Sequence, residues 1–199
     1  MDSNSTNHSA AAFVFGAGKL KISQSQFLYN RAASAVGGIA IRDVISTEVA
    51  DSIFDGNYAG GNETSRIGGG ALTLLIYDLP LNDSAFLLII NSTFNNCSEQ
   101  NGGVIFLDSY APIHLKINTS RFTKNHSGKD GGAVWLSLTE DTQKGPAKCN
   151  ERYWPSWDYK SHVIFEDTTF QENIASEVGG AVYITNFRVP FFGQFCVSR

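Results

Sequence analysis

Cysteine and proline are scarce, three of one and five of the other in 199 residues. Three is an odd number, so Cys97, Cys149 and Cys196 close no complete disulfide framework. No Cys-x-x-Cys spacing is present, and neither a metal site nor a cofactor is expected. Charge is sparse as well, at 17% of residues and a net −4. Fifteen Lys+Arg against nineteen Asp+Glu, scattered along the chain, exclude the basic footprint of a nucleic-acid binder. No apolar run approaches the roughly 18 residues of a membrane helix, so no membrane insertion is expected within this chain. The opening Met1-Asp2-Ser3-Asn4-Ser5-Thr6 lacks the Lys or Arg of a secretory signal. What is plentiful points elsewhere. A content of 42% apolar and 12% aromatic residues excludes a disordered tail. Nineteen glycines speak against a helical protein.

One pattern recurs five times: a Phe, an Asn three residues later, then Gly-Gly followed by apolar residues. The copies read Phe27…Asn30 with Gly37-Gly38-Ile39, Phe54…Asn57 with Gly69-Gly70-Ala71, and Phe94…Cys97 with Gly102-Gly103-Val104. Phe122…Asn125 with Gly131-Gly132-Ala133 and Phe170…Asn173 with Gly179-Gly180-Ala181 complete the set. The phenylalanines are 27, 40, 28 and 48 residues apart, so the bare unit is about 27 residues and the long intervals carry insertions. A second stripe sits seven and five residues before Phe: Leu20 and Ile22, Leu87 and Ile89, Leu115 and Ile117, Val163 and Phe165. A period of two means a strand with one face buried. The Val-, Ile- and aromatic-rich run after each Gly-Gly is a second strand.

Several short strands per 27-residue unit, with no helical period between them, predict an all-β parallel β-helix of about five coils stacked roughly 4.8 Å apart. Equivalent residues then form ladders. Phe27, Phe54, Phe94, Phe122 and Phe170 would fill the interior as a ring column. Asn30, Asn57, Asn125 and Asn173 would mark a turn, since Asn tolerates the left-handed region and bonds nearby backbone. Gly-Gly allows a close approach between coils that a Cβ would block.

The pairing of Phe-x-x-Asn with Gly-Gly-Ala-[Ile/Leu/Val] resembles the repeat of the chlamydial polymorphic outer-membrane proteins, and of pmp-like extracellular proteins, over about residues 20–184. The resemblance implies a right-handed parallel β-helix displayed outside the cell, with adhesion as its role. Cys97 stands at one Asn position, and Ile39 and Val104 stand where Ala is common. Nothing in the chain resembles the membrane barrel of an autotransporter.

The repeat phase predicts a single β-helix domain over 1–199, with partial coils at 9–19 and 185–199. No capping helix is legible at either end, so the expectation is a fragment of a longer array whose neighbouring coils are its first partners. Asn-x-Ser/Thr sites begin at eight asparagines, where composition predicts about two or three. Asn62, Asn82, Asn91 and Asn118 are the candidate glycosylation sites of a secreted, extracellular or cell-surface protein.

Catalysis needs positioned groups, and β-helices also carry polysaccharide lyases and hydrolases. Asp43, Asp108, Asp130 and Glu140 make no evident acid–base pair and read as solvated turn residues. His114 and His162 precede strands, with no nucleophile beside them. No catalytic residue is assigned, and the chain is read as a non-enzymatic adhesion or display scaffold; the alternative is a carbohydrate-active enzyme. The insertion at about 139–161 carries Arg152, Tyr153, Trp154, Trp157 and Tyr159. On a rigid solenoid such a loop is a candidate contact for a glycan or a cell-surface protein.

Overall fold

A computed structural model of the chain describes residues 4–5, 11–33, 36–60, 68–79, 84–99, 103–138, 161–185 and 194–198. Every described strand pairs in parallel with its equivalent one unit away in sequence, giving four sheets that wind as a parallel β-helix. One, the Gly-Gly sheet, holds Ala12–Phe15, Ile39–Arg42, Leu72–Ile76, Ile105–Ser109, Val134–Leu138 and Val182–Thr185. The stripe sheet holds Lys19–Ser23, Ser46–Ala50, Ala85–Ile90, Ile113–Asn118, His162–Glu166 and Gln194–Ser198. The Phe sheet runs from Gln26–Leu28 through Ile53–Asp55, Thr93–Asn95 and Arg121–Thr123 to Thr169–Gln171. Two-residue strands, among them Tyr58–Ala59, Ser98–Glu99 and Ile174–Ala175, form the fourth. No helix occurs among the described residues.

The chain turns its corners by backbone twists that recur in every coil. Gln24, Asp51, Asn91, Thr119 and Asp167, three residues before each Phe, all have φ between 46° and 51°. A second left-handed corner falls on Tyr29, Gly56, Asn96, Lys124 and Glu172, two residues after Phe. The ladder asparagine is therefore not the left-handed residue, as its backbone tolerance would predict. The corner lies one position earlier, and Asn contributes through its amide.

The interior is built of columns. The five phenylalanine rings stack with centroids 4.8, 4.8, 4.7 and 5.0 Å apart and interplanar angles of 15° or less. That spacing is the strand spacing itself, so stacking costs the backbone nothing. Phe54, Phe94 and Phe122 are wholly buried. Stripe residues such as Ile22, Leu87, Ile89, Leu115, Ile117, Val163 and Phe165 join the same core. In the second copy the stripe position is Thr47, 1% exposed, whose hydroxyl has no partner among the described residues.

Beside the rings runs a column of amides. Asn57 Nδ2 donates to the Phe27 carbonyl at 2.8 Å, Asn125 Nδ2 to Phe94 at 3.1 Å and Asn173 Nδ2 to Phe122 at 2.9 Å. Each Oδ1 accepts from the coil before it: Asn57 from Asn30, and Asn173 from Asn125, through both backbone and side-chain N–H. Cys97 interrupts the column. Asn57 Nδ2 meets its sulfur at 3.7 Å, and the thiol has one hydrogen to offer between the carbonyls of Phe54 at 3.5 Å and Asn95 at 3.3 Å. Burial raises the thiol to about 12, so it stays protonated. Cys97→Asn is expected to stabilise the protein by about 1–2 kcal/mol, because two weak sulfur contacts become amide hydrogen bonds. Urea unfolding checks this; an unchanged midpoint would mean that the thiol fills the slot equally well.

A third column went unread in the sequence. Ser25, Ser52, Ser92, Ser120 and Thr168 occupy the place two residues before each Phe. Their hydroxyls donate two residues back, to Ser23, Ala50, Ile90, Asn118 and Glu166 carbonyls at 2.7–2.9 Å. The hydroxyls of Ser52, Ser92 and Ser120 also accept the backbone N–H of the preceding coil's Ser at 3.2 Å. These bonds close the first left-handed corner, where strand ladders leave polar groups without partners. The signal was present as a hydroxyl residue two places before every Phe, but Ser before Phe reads as ordinary polar turn composition.

Strand register revises the first Gly-Gly copy. Ile39 pairs with Leu72, and Val36 bridges Gly69. Gly37 is thus the counterpart of Gly70, and Gly38 takes the Ala71 slot, so Ile39 is no departure at an alanine position. The column Gly37, Gly70, Gly132 passes against the backbone of the short strands. A Cβ there would lie 2.7 Å from Tyr58, 2.8 Å from Ser98 and 2.7 Å from Ile174 respectively. Only glycine fits where the coil enters its next turn.

Candidate functional site

With Phe, Asn, Ser and Gly committed to the interior and the corners, function has to rest on outward side chains. On the stripe sheet these form columns of their own. Lys21 pairs with Glu48 at 2.9 Å and Lys116 with Glu166 at 2.7 Å, each between adjacent coils of the ladder. Phe86, His114 and His162 stack face to face at 4.8 and 5.2 Å. The two histidines therefore lie within strands, not before them, and are held by ring stacking. Burial and the neighbouring His162 push His114 down to about 4, so it is neutral at pH 7. An open groove of about 500 Å³ runs over this face, bordered by Lys19, Glu48, Phe86, Leu88, Lys116 and Asn118.

The corner after the Gly-Gly sheet gathers the most polar chemistry. Asp43 is 8% exposed and not a solvated turn residue. Its Oδ1 accepts the backbone N–H of Tyr77 at 2.8 Å and of Asp78 at 2.9 Å, while Oδ2 takes Arg42 Nε at 3.2 Å. The carboxylate thus fastens the segment that leaves strand Leu72–Ile76. Burial alone would raise its pKa, but the Asp78 and Tyr77 amides and Arg42 outweigh it and hold the pKa below the usual value. Arg42 in turn lies over the rings of Phe15 and Tyr77, 5.7 and 5.9 Å from their centroids, with Asp78 3.7 Å away. Tyr77 donates its hydroxyl to Asp108 at 2.8 Å, and its ring tilts against Tyr110 at 4.8 Å.

A folded-state pKa below the unfolded one stabilises the protein above the unfolded value near 3.9, and the gain fades as pH falls through the folded pKa. Asp43→Ala is therefore expected to cost about 1–3 kcal/mol at pH 7, since two amides lose their acceptor. It should also flatten the fall in stability below pH 4, which denaturation midpoints at pH 7, 4 and 3 would reveal. A parallel drop in both proteins would remove Asp43 from the acid response.

Other sequence candidates fall as follows. Asp130 accepts the Val178 N–H at 3.3 Å, and Glu140 lies outside the described residues. Asn91 is exposed at a left-handed corner and donates to Asp51 at 2.7 Å; Asn118 is partly exposed and accepts from Thr119 at 2.9 Å. Asn125, also the start of a sequon, is buried with its amide committed to Phe94 and Asn173. Asn62, Asn82, Arg152, Tyr153, Trp154, Trp157, Tyr159 and Cys149 all lie outside the described residues. Among the described residues no three His, Cys, Asp or Glu side chains group to hold a metal, and no helix is long and apolar enough to cross a membrane.

No curated protein and no solved structure matches the chain. Residues 167–185 match the family model described as Chlamydia polymorphic membrane protein (Chlamydia_PMP) repeat. That stretch spans one set of the positions described above: left-handed Asp167, hydroxyl Thr168, ring Phe170, amide Asn173, then Gly179-Gly180 and strand Val182–Thr185. Four earlier coils present the same positions in register with it. Residues 167–185 are thus similar to a chlamydial polymorphic membrane protein repeat, and they form one of five coils built on the same positions.

Proposed function

We propose that the chain is a non-enzymatic adhesive or display segment at the cell surface. The observation that carries this reading is the assignment of every repeated residue to scaffold. Rings, amides, hydroxyls and glycines hold one coil to the next, which leaves the outward columns free to vary with partner. The carboxylates nearest to a catalytic arrangement have structural duties instead. Asp43 fastens a turn and Asp108 holds Tyr77, so neither is poised as acid or nucleophile toward a sugar.

The insertion at 139–161, with Arg152, Tyr153, Trp154, Trp157 and Tyr159, joins strands Val134–Leu138 and His162–Glu166 and is the proposed principal contact. Asn62, Asn82, Asn91 and Asn118 are the proposed glycan acceptors in a secretory host. Beads coated with the chain should bind cultured cells well above bare beads. Replacing Trp154 and Trp157 by Ala should lower that binding while leaving the unfolding midpoint nearly unchanged. Binding no better than bare beads, or turnover of a polysaccharide by the purified chain, would overturn the proposal.

A further inference from the structure

The corner at Arg42 already shows how this surface holds a cation. The guanidinium lies over two aromatic rings, Phe15 and Tyr77, with the Asp43 and Asp78 carboxylates at 3.2 and 3.7 Å. One coil further, the same row presents a ring and a carboxylate with no cation of its own among the described residues. Tyr110 packs one side against Tyr77 at 4.8 Å yet remains 64% exposed. Asp108, two residues before it, spends Oδ2 on the Tyr77 hydroxyl, which leaves a second oxygen for a ligand. In the ladder Asp108 is followed by Ser137, a side chain too short to bring a charge to it. Three carboxylates against one guanidinium leave this corner with a net negative charge of about two at pH 7.

We propose that Tyr110 and Asp108 form a seat for a cationic side chain of a partner protein, an arginine above all. The inference rests on the adhesive reading, whose partner chemistry it names. Arginine suits the seat because its planar fork stacks on a ring face and meets a carboxylate edge at the same time. A sugar suits it less well. The polar groups that would bond sugar hydroxyls are already engaged: Arg42 bonds Asp43, Asp43 also accepts backbone N–H, and the Tyr77 hydroxyl is spent on Asp108.

The test is a titration of the whole chain, with its tyrosines isotopically labelled, by a blocked tri-arginine peptide at low salt. The Tyr110 ring resonance should shift saturably, and the apparent affinity, followed through the adjoining Tyr77 ring in the variants, should fall about fivefold or more in Tyr110→Leu and in Asp108→Asn. A tri-citrulline peptide, equal in shape but uncharged, should leave the resonance in place. Equal shifts with citrulline, undiminished arginine binding in both variants, or saturation by a neutral oligosaccharide instead would each overturn the seat. The two readings fail separately. Coated beads that bind cells while the peptide leaves Tyr110 unmoved refute the seat alone. Peptide binding without cell binding refutes the adhesive reading and retains the seat.

Discussion

Phe94→Ala, at the centre of the ring column, should cost about 3–5 kcal/mol. Phe94 is wholly buried, with Phe54 at 4.8 Å on one side and Phe122 at 4.7 Å on the other. Truncation removes its own transfer free energy and strips stacking partners from both neighbours. Adjacent coils cannot close the gap, because their backbones are tied together by the amide and hydroxyl columns on either side of the ring. Phe27→Ala should cost roughly half as much, since Phe27 has one described ring neighbour, Phe54, and is 9% exposed. Urea unfolding followed by far-UV circular dichroism gives both values from the midpoints. A solenoid is held by nearest-neighbour interfaces, so the central substitution should also broaden the transition as the two halves begin to unfold separately. Equal costs at the two positions would mean that the rings contribute as independent side chains and not as a column.

Gly132→Ala should be comparably severe, at about 3 kcal/mol or more, with Gly180→Ala as its control. A Cβ on Gly132 would collide with the Gly180 carbonyl oxygen and approach the Ile174 carbonyl carbon to 2.7 Å. Both are backbone atoms, one in strand Ile174–Ala175 and the other in the turn that leads into strand Val182–Thr185, so relief requires moving a coil and not turning a side chain. At Gly180, the same motif position one coil later, the nearest atom to a Cβ is the Asn173 carbonyl oxygen at 3.6 Å, an ordinary contact. That substitution should fall within about 1 kcal/mol of neutral, because alanine also narrows the unfolded ensemble. Thermal melts of the two variants suffice as a measurement. A mild effect at Gly132 would show that the coils can part cheaply, and the tight entry into each turn would then not explain the glycine.

Much of the scaffold was legible before any coordinates, for a physical reason. In a parallel stack each residue lies over its own counterpart, so a demand made by one coil is repeated at the same offset in every other. Phe-x-x-Asn and Gly-Gly are visible because rings stack in five coils, amides chain in four and glycines clear the short-strand backbone in three. Where the demand was met by a common residue, legibility failed. The hydroxyl column at Ser25, Ser52, Ser92, Ser120 and Thr168 is as regular as the ring column, but serine near a turn carries little surprise. The one-residue slip at Gly37-Gly38 has a similar origin, since three small residues in a row can be aligned two ways until strand pairing chooses.

The candidate site was far less legible. Asp43 looked like a solvated turn carboxylate because its role depends on amides of Tyr77 and Asp78, 34 and 35 residues away. The Arg42, Tyr77 and Tyr110 cluster likewise joins residues from three coils, and its two tyrosines share an offset after Gly-Gly in two copies alone, too few to stand out as a motif. Composition and period alone thus established an all-β winding chain with its rings inside, because inward positions obey one rule in every coil. Which outward residues meet, which carboxylates are spent and which ring stays open were decided only by the stacked coils, because outward neighbours come from different turns and answer to no common rule.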